Sequence, residues 1–78
     1  MRLDIFLKRT GLIKRRSIAQ EMIKGGRVRL NGRAVKPSRE VSIGDVIEIF
    51  FGNRYLKVKV VEGGYEILEE EFLKRKED

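Results

Sequence analysis

Apolar residues first recur at the spacing of a helix. Leu3, Phe6 and Leu7 share one stripe of a predicted helix over residues 3–10, and Gly11 ends that helix. A second helix is predicted over residues 16–24, and Gly25-Gly26 ends it in the manner of glycines that adopt positive φ. The apolar stripe of this second helix consists of Ile18, Ala19, Met22 and Ile23.

After residue 27 the apolar period changes to two, which is typical of strands. Val28 and Leu30 alternate with arginines, and Asn31-Gly32 predicts a tight hairpin turn because both turn positions favour positive φ. A short return strand is expected at Ala34-Val35, with further strands over 47–51 and 56–60 and a last one at 65–68. The predicted fold is α+β, with two short N-terminal helices packed on a small, mostly antiparallel sheet.

The length of 78 residues predicts one domain, which we place at residues 1–68. Residues 69–78 form a charged tail, expected to be either a helix built on Phe72 and Leu73 or disordered. The chain has no cysteine and no histidine, so a disulfide, a thiolate metal site and the commonest general base are excluded. We expect no cofactor, no metal and no enzyme activity. No apolar run is long enough for a membrane span or signal peptide, so a cytoplasmic location is expected.

Charge is distributed unequally along the chain. Residues 1–39 hold twelve of the 18 basic residues against two acids, a net charge of +10, whereas residues 40–78 carry six bases and ten acids, a net charge of −4. Helices packed on the sheet by their apolar stripes would place the basic side chains on one surface, and such a surface binds phosphates. The alternative is that these residues are ordinary exposed side chains that keep the protein soluble and bind no ligand. The candidate contacts are Arg2, Lys8, Lys14, Arg15, Arg16, Lys24, Arg27 and Arg29, with Lys36 and Arg39 nearby.

Several spaced motifs accompany this charge, namely Arg2-Leu3-Asp4, Leu7, Arg16-Ser17, Ala19, Ile23, the run Gly-Arg-Val-Arg-Leu-Asn-Gly over 26–32, Pro37-Ser38 and Gly44-Asp45. Together they resemble the RNA-binding domain named after protein four of the small ribosomal subunit, over about residues 1–50. Within that family the chain is most similar to small stand-alone members, the heat-shock protein fifteen type and its relative in ribosome-associated quality control. The runs over residues 13–16 and 51–54 favour the second.

The resemblance implies a function. Those relatives bind obstructed large ribosomal subunits that hold a peptidyl-tRNA, contact ribosomal RNA and tRNA, and assist a partner quality-control protein. The family's RNA-contacting positions match Arg2 and Arg16, and the other six candidate residues rank second. A monomer without membrane contact is expected. The alternatives are a permanent structural ribosomal protein and a general module for structured RNA. Enzymes that carry this domain have a separate catalytic domain, for which this chain has no room.

Some motif positions have a structural explanation. Asp4 is expected either to pair with a nearby arginine or to cap the first helix, and Asn31-Gly32 is expected to supply turn geometry rather than RNA contacts. Two positions depart from the family pattern. Arg15 stands where many members have a serine N-cap, and the absence of that capping hydrogen bond would cost about 0.5–2 kcal/mol of stability. Ile5 replaces a basic residue and is expected to be exposed, as an isolated apolar side chain or as a contact to a base or partner.

Overall fold

The computed structural model describes residues 1–73, which form an antiparallel sheet covered on one face by two helices. The sheet has the strand order β2-β1-β3-β4-β5, so the fold is α+β as predicted. Neither helix in the described part of the chain is long and apolar enough to cross a membrane. The elements in chain order are α1 (Leu3–Arg9), α2 (Arg16–Lys24), β1 (Val28–Leu30), β2 (Arg33–Ala34), β3 (Val46–Phe50), β4 (Arg54–Val61) and β5 (Gly64–Phe72).

The core lies between the helices and one face of β1, β3 and β4. Alternation along these strands turns every second side chain inward, where it meets the apolar stripes of α1 and α2. A domain of this size buries only about 60% of its unfolded surface, so each of these side chains contributes a large share of the stability. The buried apolar residues are Leu3, Phe6, Leu7, Ile13, Ala19, Ile23, Val28, Leu30, Ile47, Ile49, Leu56, Val58 and Val60.

The β1–β2 hairpin forms as the sequence predicts, with Asn31 at φ 51° and Gly32 at φ 78°. Its return strand is Arg33–Ala34 rather than residues 34–35, because a two-residue turn pairs Leu30 with Arg33. The Asn31 side chain has a further role that turn geometry alone did not predict. Its Oδ1 accepts a hydrogen bond from the Val46 N–H at 2.9 Å, and its Nδ2 donates to Asp45 at 3.1 Å. Asn31 therefore ties the hairpin to the start of β3.

Both ends of α2 match the sequence-based expectation. Arg15 is the N-cap residue and makes no side-chain capping hydrogen bond. At the other end, Gly26 has φ 76°, its N–H donates to the Ile23 carbonyl, and the Arg27 N–H donates to the Met22 carbonyl. These paired bonds form a Schellman motif, which ends the helix and redirects the chain into β1.

The last strand is longer than predicted. Residues 69–72, expected to be helical or disordered, continue β5 alongside β4, with Glu69 opposite Lys57 and Phe72 opposite Arg54. A register irregularity between Lys57 and Val58 precedes this stretch. Glutamate has a low intrinsic preference for strands, so the pairing with β4 overrides local propensity here. Residues 74–78 of the expected tail lie outside the described residues.

Two isoleucines are placed differently from the sequence-based expectation. Ile18, predicted to belong to the core stripe of α2, is 43% exposed, because the buried part of this helix consists of Ala19 and Ile23. Ile5, expected to be exposed, is half-buried. Four of the seven residues of α1 are buried, so the buried face of this short helix is wide and reaches the flanks of Ile5.

Candidate nucleic-acid interface

The segment that follows β2 packs across the start of α1 and positions the first basic residue. The Leu3 N–H donates to the Arg39 carbonyl at 2.8 Å, and the Asp4 N–H donates to the Pro37 carbonyl at 3.2 Å. Arg2 forms an isolated antiparallel bridge with Glu40. These bonds satisfy N–H groups that a helix start otherwise leaves without partners. As a result, Arg2 is held beside residues 35–38.

Asp4 is the centre of a polar network formed by α1 and α2. Its carboxylate is fully buried and accepts hydrogen bonds from Arg2 Nε at 3.1 Å and Arg2 Nη2 at 3.0 Å. From α2, Arg16 Nε approaches at 3.3 Å and Gln20 Nε2 donates at 2.9 Å. The Ile5 N–H donates at 2.8 Å. We call Arg2, Asp4, Arg16 and Gln20 the Asp4 network.

The network keeps Asp4 ionised. Burial by itself raises the pKa of the Asp4 carboxyl, but the hydrogen bonds from Gln20, Arg2, Arg16 and the Ile5 N–H outweigh burial and hold that pKa below its ordinary value. Asp4 is therefore a carboxylate at neutral pH, where it faces two guanidinium groups. The network carries a net positive charge, and its one negative charge is buried beneath the two cations.

Both arginines of the network remain open to a ligand. The side chains of Arg2 and Arg16 are 41% and 49% exposed, although each is bonded to Asp4. A guanidinium has five N–H donors, and Asp4 occupies two from Arg2 and one from Arg16. The remaining donors can bind phosphate oxygens, and the carboxylate restricts the positions from which they do so.

A pocket with a volume of about 510 Å³ adjoins the Asp4 network. Arg2 and Gln20 lie on its wall, Lys24 enters from the last turn of α2, and Lys36 comes from the segment after β2. The four-residue spacing of Arg16, Gln20 and Lys24 places these three residues on one side of α2. We call this pocket the basic cleft, and its lining consists of Arg2, Gln20, Lys24, Val35, Lys36, Pro37 and Ser38.

The other predicted contacts lie at several places around the molecule. Arg29 is on the face of the sheet opposite the helices, where its Cζ lies 5.9 Å from the centroid of the Phe50 ring. The structure therefore does not bring Arg29 together with Arg2 and Arg16 on one surface. The remaining candidates are exposed but do not belong to the lining of the basic cleft, namely Lys8, Lys14, Arg15 and Arg27.

The outer face of the sheet carries acidic groups. The Tyr55 hydroxyl donates to Glu48 Oε2 at 2.6 Å, and burial together with this bond raises the pKa of Tyr55. A hydrogen bond and repulsion from the neighbouring Glu69 raise the pKa of Glu71. These glutamates, with Phe50 and Tyr55, line one hollow on this face. The negative charge of the glutamates at this hollow repels the phosphates of RNA, so the basic cleft on the helix side is the better candidate interface.

Comparison with known sequences shows the family of this chain. The sequence model described as the S4 domain matches residues 1–47. The chain belongs to the S4 domain family. The match includes both helices, the β1–β2 hairpin and the beginning of β3, so every residue of the Asp4 network and the basic cleft lies inside it. The resemblance drawn from the spaced motifs is confirmed.

Individual relatives within the S4 domain family are also similar over most of the chain. The RQC P-site tRNA stabilizing factor of Streptococcus pneumoniae is 42% identical over 81 residues, which covers 90% of this chain and 92% of that protein. The factor of the same name from Bacillus subtilis is 45% identical over 62 residues, covering 80% and 72%. The trimeric structure of Vibrio cholerae heat shock protein 15 superposes with a TM-score of 0.80 at 29% identity, covering 86% of this chain and 80% of that one.

Proposed function

We propose that this protein binds ribosomal RNA and tRNA on the obstructed large ribosomal subunit and acts in ribosome-associated quality control. The relatives named RQC P-site tRNA stabilizing factor support the biological setting. The observation that carries the chemistry is the Asp4 network, in which one buried carboxylate holds two exposed guanidinium groups beside a basic cleft. A cytoplasmic location follows from this proposal.

The cleft supports binding through the RNA backbone. Arg2 and Arg16 grip phosphates with paired N–H donors, whereas Lys24 and Lys36 contribute compact positive charges. Contacts of this kind recognise the shape and charge of folded RNA rather than its sequence. A factor that stabilises tRNAs on the ribosome needs this kind of binding, because the tRNAs that it accepts differ in sequence.

The acids do not suggest a catalytic site. Asp45 accepts hydrogen bonds from Asn31 and the Ser42 N–H, and Glu48 accepts one from Tyr55. These carboxylates have structural partners, and within residues 1–73 there is no group of three or more acids that could hold a metal ion. We therefore propose binding without catalysis.

A substitution at Arg16 tests the binding face. Arg16→Ala removes a charge-assisted contact worth about 1.5–3 kcal/mol, so affinity for large subunits that hold peptidyl-tRNA should fall about 10- to 150-fold. Arg16→Lys should recover only part of that affinity, because the charge returns without the guanidinium fork. The melting temperature should change little, since Arg2 and Gln20 still hold Asp4. Binding is measured by co-sedimentation with purified subunits.

Lys57→Ala is the matched control, because Lys57 lies on the outer face of the sheet between Glu48 and Glu69. It should bind nearly as well as the parent protein. If Lys57→Ala loses subunit binding while Arg16→Ala keeps it, the proposed binding face is on the wrong side of the sheet. With about six phosphate contacts, raising salt from 50 to 200 mM should weaken binding about a thousandfold, and a flat salt response would contradict electrostatic binding.

Sedimentation of cell extracts distinguishes this role from the two alternatives. A quality-control factor should be sparse and enriched on large subunits with peptidyl-tRNA. A permanent ribosomal protein would be present in equal amounts on every subunit, and a general RNA-binding module would also be found on free structured RNA.

A further inference from the structure

A second groove, also of about 510 Å³, lies on the other side of α2 from the basic cleft. It is bounded by the loop between α1 and α2, by α2 itself and by the turn between β3 and β4. Lys14 and Ile18 line it from the helical side, and Phe51 and Arg54 line it from the sheet. Its volume lies within the range of about 300–1,000 Å³ that is usual for sites that bind small organic groups.

The floor of this groove is apolar. Leu12, Met22 and Phe51 are half-buried and pack against the core, and each also lines the groove. Ile18 adds a large apolar side chain that is 43% exposed and that the core does not use. Leucine and isoleucine are common at the surface, but four apolar side chains that share one concave surface form a patch that can cover the face of an aromatic ring.

The rim of the groove carries two cations. The Arg54 Cζ lies 4.6 Å from the centroid of the Phe51 ring, a cation–π contact that holds the guanidinium over the aromatic face. Arg54 Nε has no hydrogen-bond partner, and its distance of 3.6 Å to Glu70 Oε2 is too long for a hydrogen bond. Lys14 is exposed on the facing side. The groove therefore combines an apolar floor with two cations: Lys14, which is exposed, and Arg54, whose buried Nε forms an ion pair with Glu70.

We propose that this groove binds one unpaired nucleotide of the RNA that occupies the basic cleft. The base lies on the apolar floor between Ile18 and the Phe51–Arg54 pair, and its phosphate lies between Lys14 and Arg54. This inference rests on the proposed RNA-binding function. It identifies a class of RNA element, because single-stranded loops and bulges expose bases that stack on aromatic rings and guanidinium planes, whereas a regular duplex does not.

Three observations favour a nucleotide over other occupants. The ligand must have a flat apolar part and an adjacent negative charge, which matches a base and its phosphate. The groove and the basic cleft lie on the two sides of the same helix, α2, so an RNA that crosses this helix can reach both. Finally, the described residues that line the groove include two cations and no acid, and Glu70 of β5 lies outside this lining as the ion-pair partner of Arg54 at 3.6 Å.

Two RNA hairpins with the same stem, used with the full chain, test the proposal. One hairpin is fully paired, and the other carries a single bulged 2-aminopurine whose fluorescence reports stacking. Ile18→Ser and Arg54→Gln should each reduce affinity for the bulged hairpin about tenfold and abolish its fluorescence change. Affinity for the paired hairpin should stay within about twofold. Ile43→Ser is the matched control, because Ile43 is 71% exposed and lies outside the groove.

The outcomes separate this proposal from the proposed function. If Ile18→Ser and Arg54→Gln bind the bulged hairpin as the parent does, while Arg16→Ala loses both hairpins, the nucleotide site is refuted and the basic cleft stands. If the parent protein binds neither hairpin, RNA binding itself fails. An acidic peptide with one tryptophan that displaces the bulged hairpin and binds more tightly would refute the nucleotide in favour of a protein occupant.

Discussion

The substitution Asp4→Asn separates two explanations of the basic cleft. If only charge matters, removing a carboxylate raises the net charge by one and should strengthen RNA binding. If the Asp4 network organises the arginines, the same change should weaken binding, because Arg2 and Arg16 lose the group that fixes their positions. The two explanations therefore predict opposite signs for a single side-chain change of nearly constant size.

The cost in stability follows from the contacts of the buried carboxylate. Asp4 accepts from two arginines, one glutamine and one backbone N–H. Asparagine keeps one acceptor oxygen and places an NH₂ group among donors. Because both arginines are about half-exposed and can turn to water, we expect a loss of about 2–3 kcal/mol rather than the larger cost of an unpaired buried charge. For a domain of this size, that loss lowers the melting temperature by roughly 10–20 °C.

The assay compares Asp4→Asn with Glu62→Gln, which makes the same change of charge at an exposed position between β4 and β5. Circular dichroism sets a temperature at which both variants are folded. RNA affinity is then measured at that temperature and at fixed salt. We expect Asp4→Asn to bind about tenfold more weakly than Glu62→Gln. Equal or tighter binding by folded Asp4→Asn would refute the organising role of the carboxylate.

Two further predictions concern stability. Gly32→Val should lower the free energy of unfolding, measured by denaturant titration, by about 2 kcal/mol, because valine resists the φ of 78° even though its Cβ would meet no neighbour. Gly52 is also open but has no positive φ, so Gly52→Val should cost little in the same titration. A stable Gly32→Val that fails to bind RNA would show that this glycine has another role. The pKa of Asp4 is depressed by folding, so its contribution to stability is present above about pH 4 and is lost as pH falls through the depressed value. Acid titration of unfolding should therefore show a loss below about pH 4 that Asp4→Asn lacks, and identical profiles would contradict the low pKa.

The sequence was sufficient for features that depend on neighbouring residues. Local spacing predicted both helices and the Asn31-Gly32 turn, and the structure contains them. It also predicted the inward alternation of β1, β3 and β4, which is present as well. The end of β5 was not predictable in this way, because three consecutive glutamates become a strand only through pairing with β4. Ile18 was wrongly assigned to the core for a related reason, because the elements that pack against α2 determine how wide its buried face is.

The candidate site was predictable as a set of residues but not as an arrangement. Arg2 and Arg16 were selected by their match to the family motif, and their contacts to RNA remain predictions. Their meeting at Asp4 depends on the packing of α1 against α2, which no spacing in the sequence specifies. Gln20 was not among the candidate contacts, and its hydrogen bond to Asp4 gives it a role in the network. Arg29 was grouped with the others although its alternation with Val28 and Leu30 already places it on the face of the strand that points away from the helices.

The two grooves differ in how they relate to the S4 domain family. The basic cleft lies entirely within the matched residues 1–47, so it belongs to the part of the chain that defines the family. Phe51, in the β3–β4 turn, and Arg54, the first residue of β4, line the second groove and lie beyond that match. Phosphate gripping by Arg2 and Arg16 would then be common chemistry, whereas the choice of an RNA with an unpaired base would depend on residues outside the family core. Substitutions in the cleft should therefore weaken binding to all RNAs alike, and substitutions in the second groove should change which RNA is preferred.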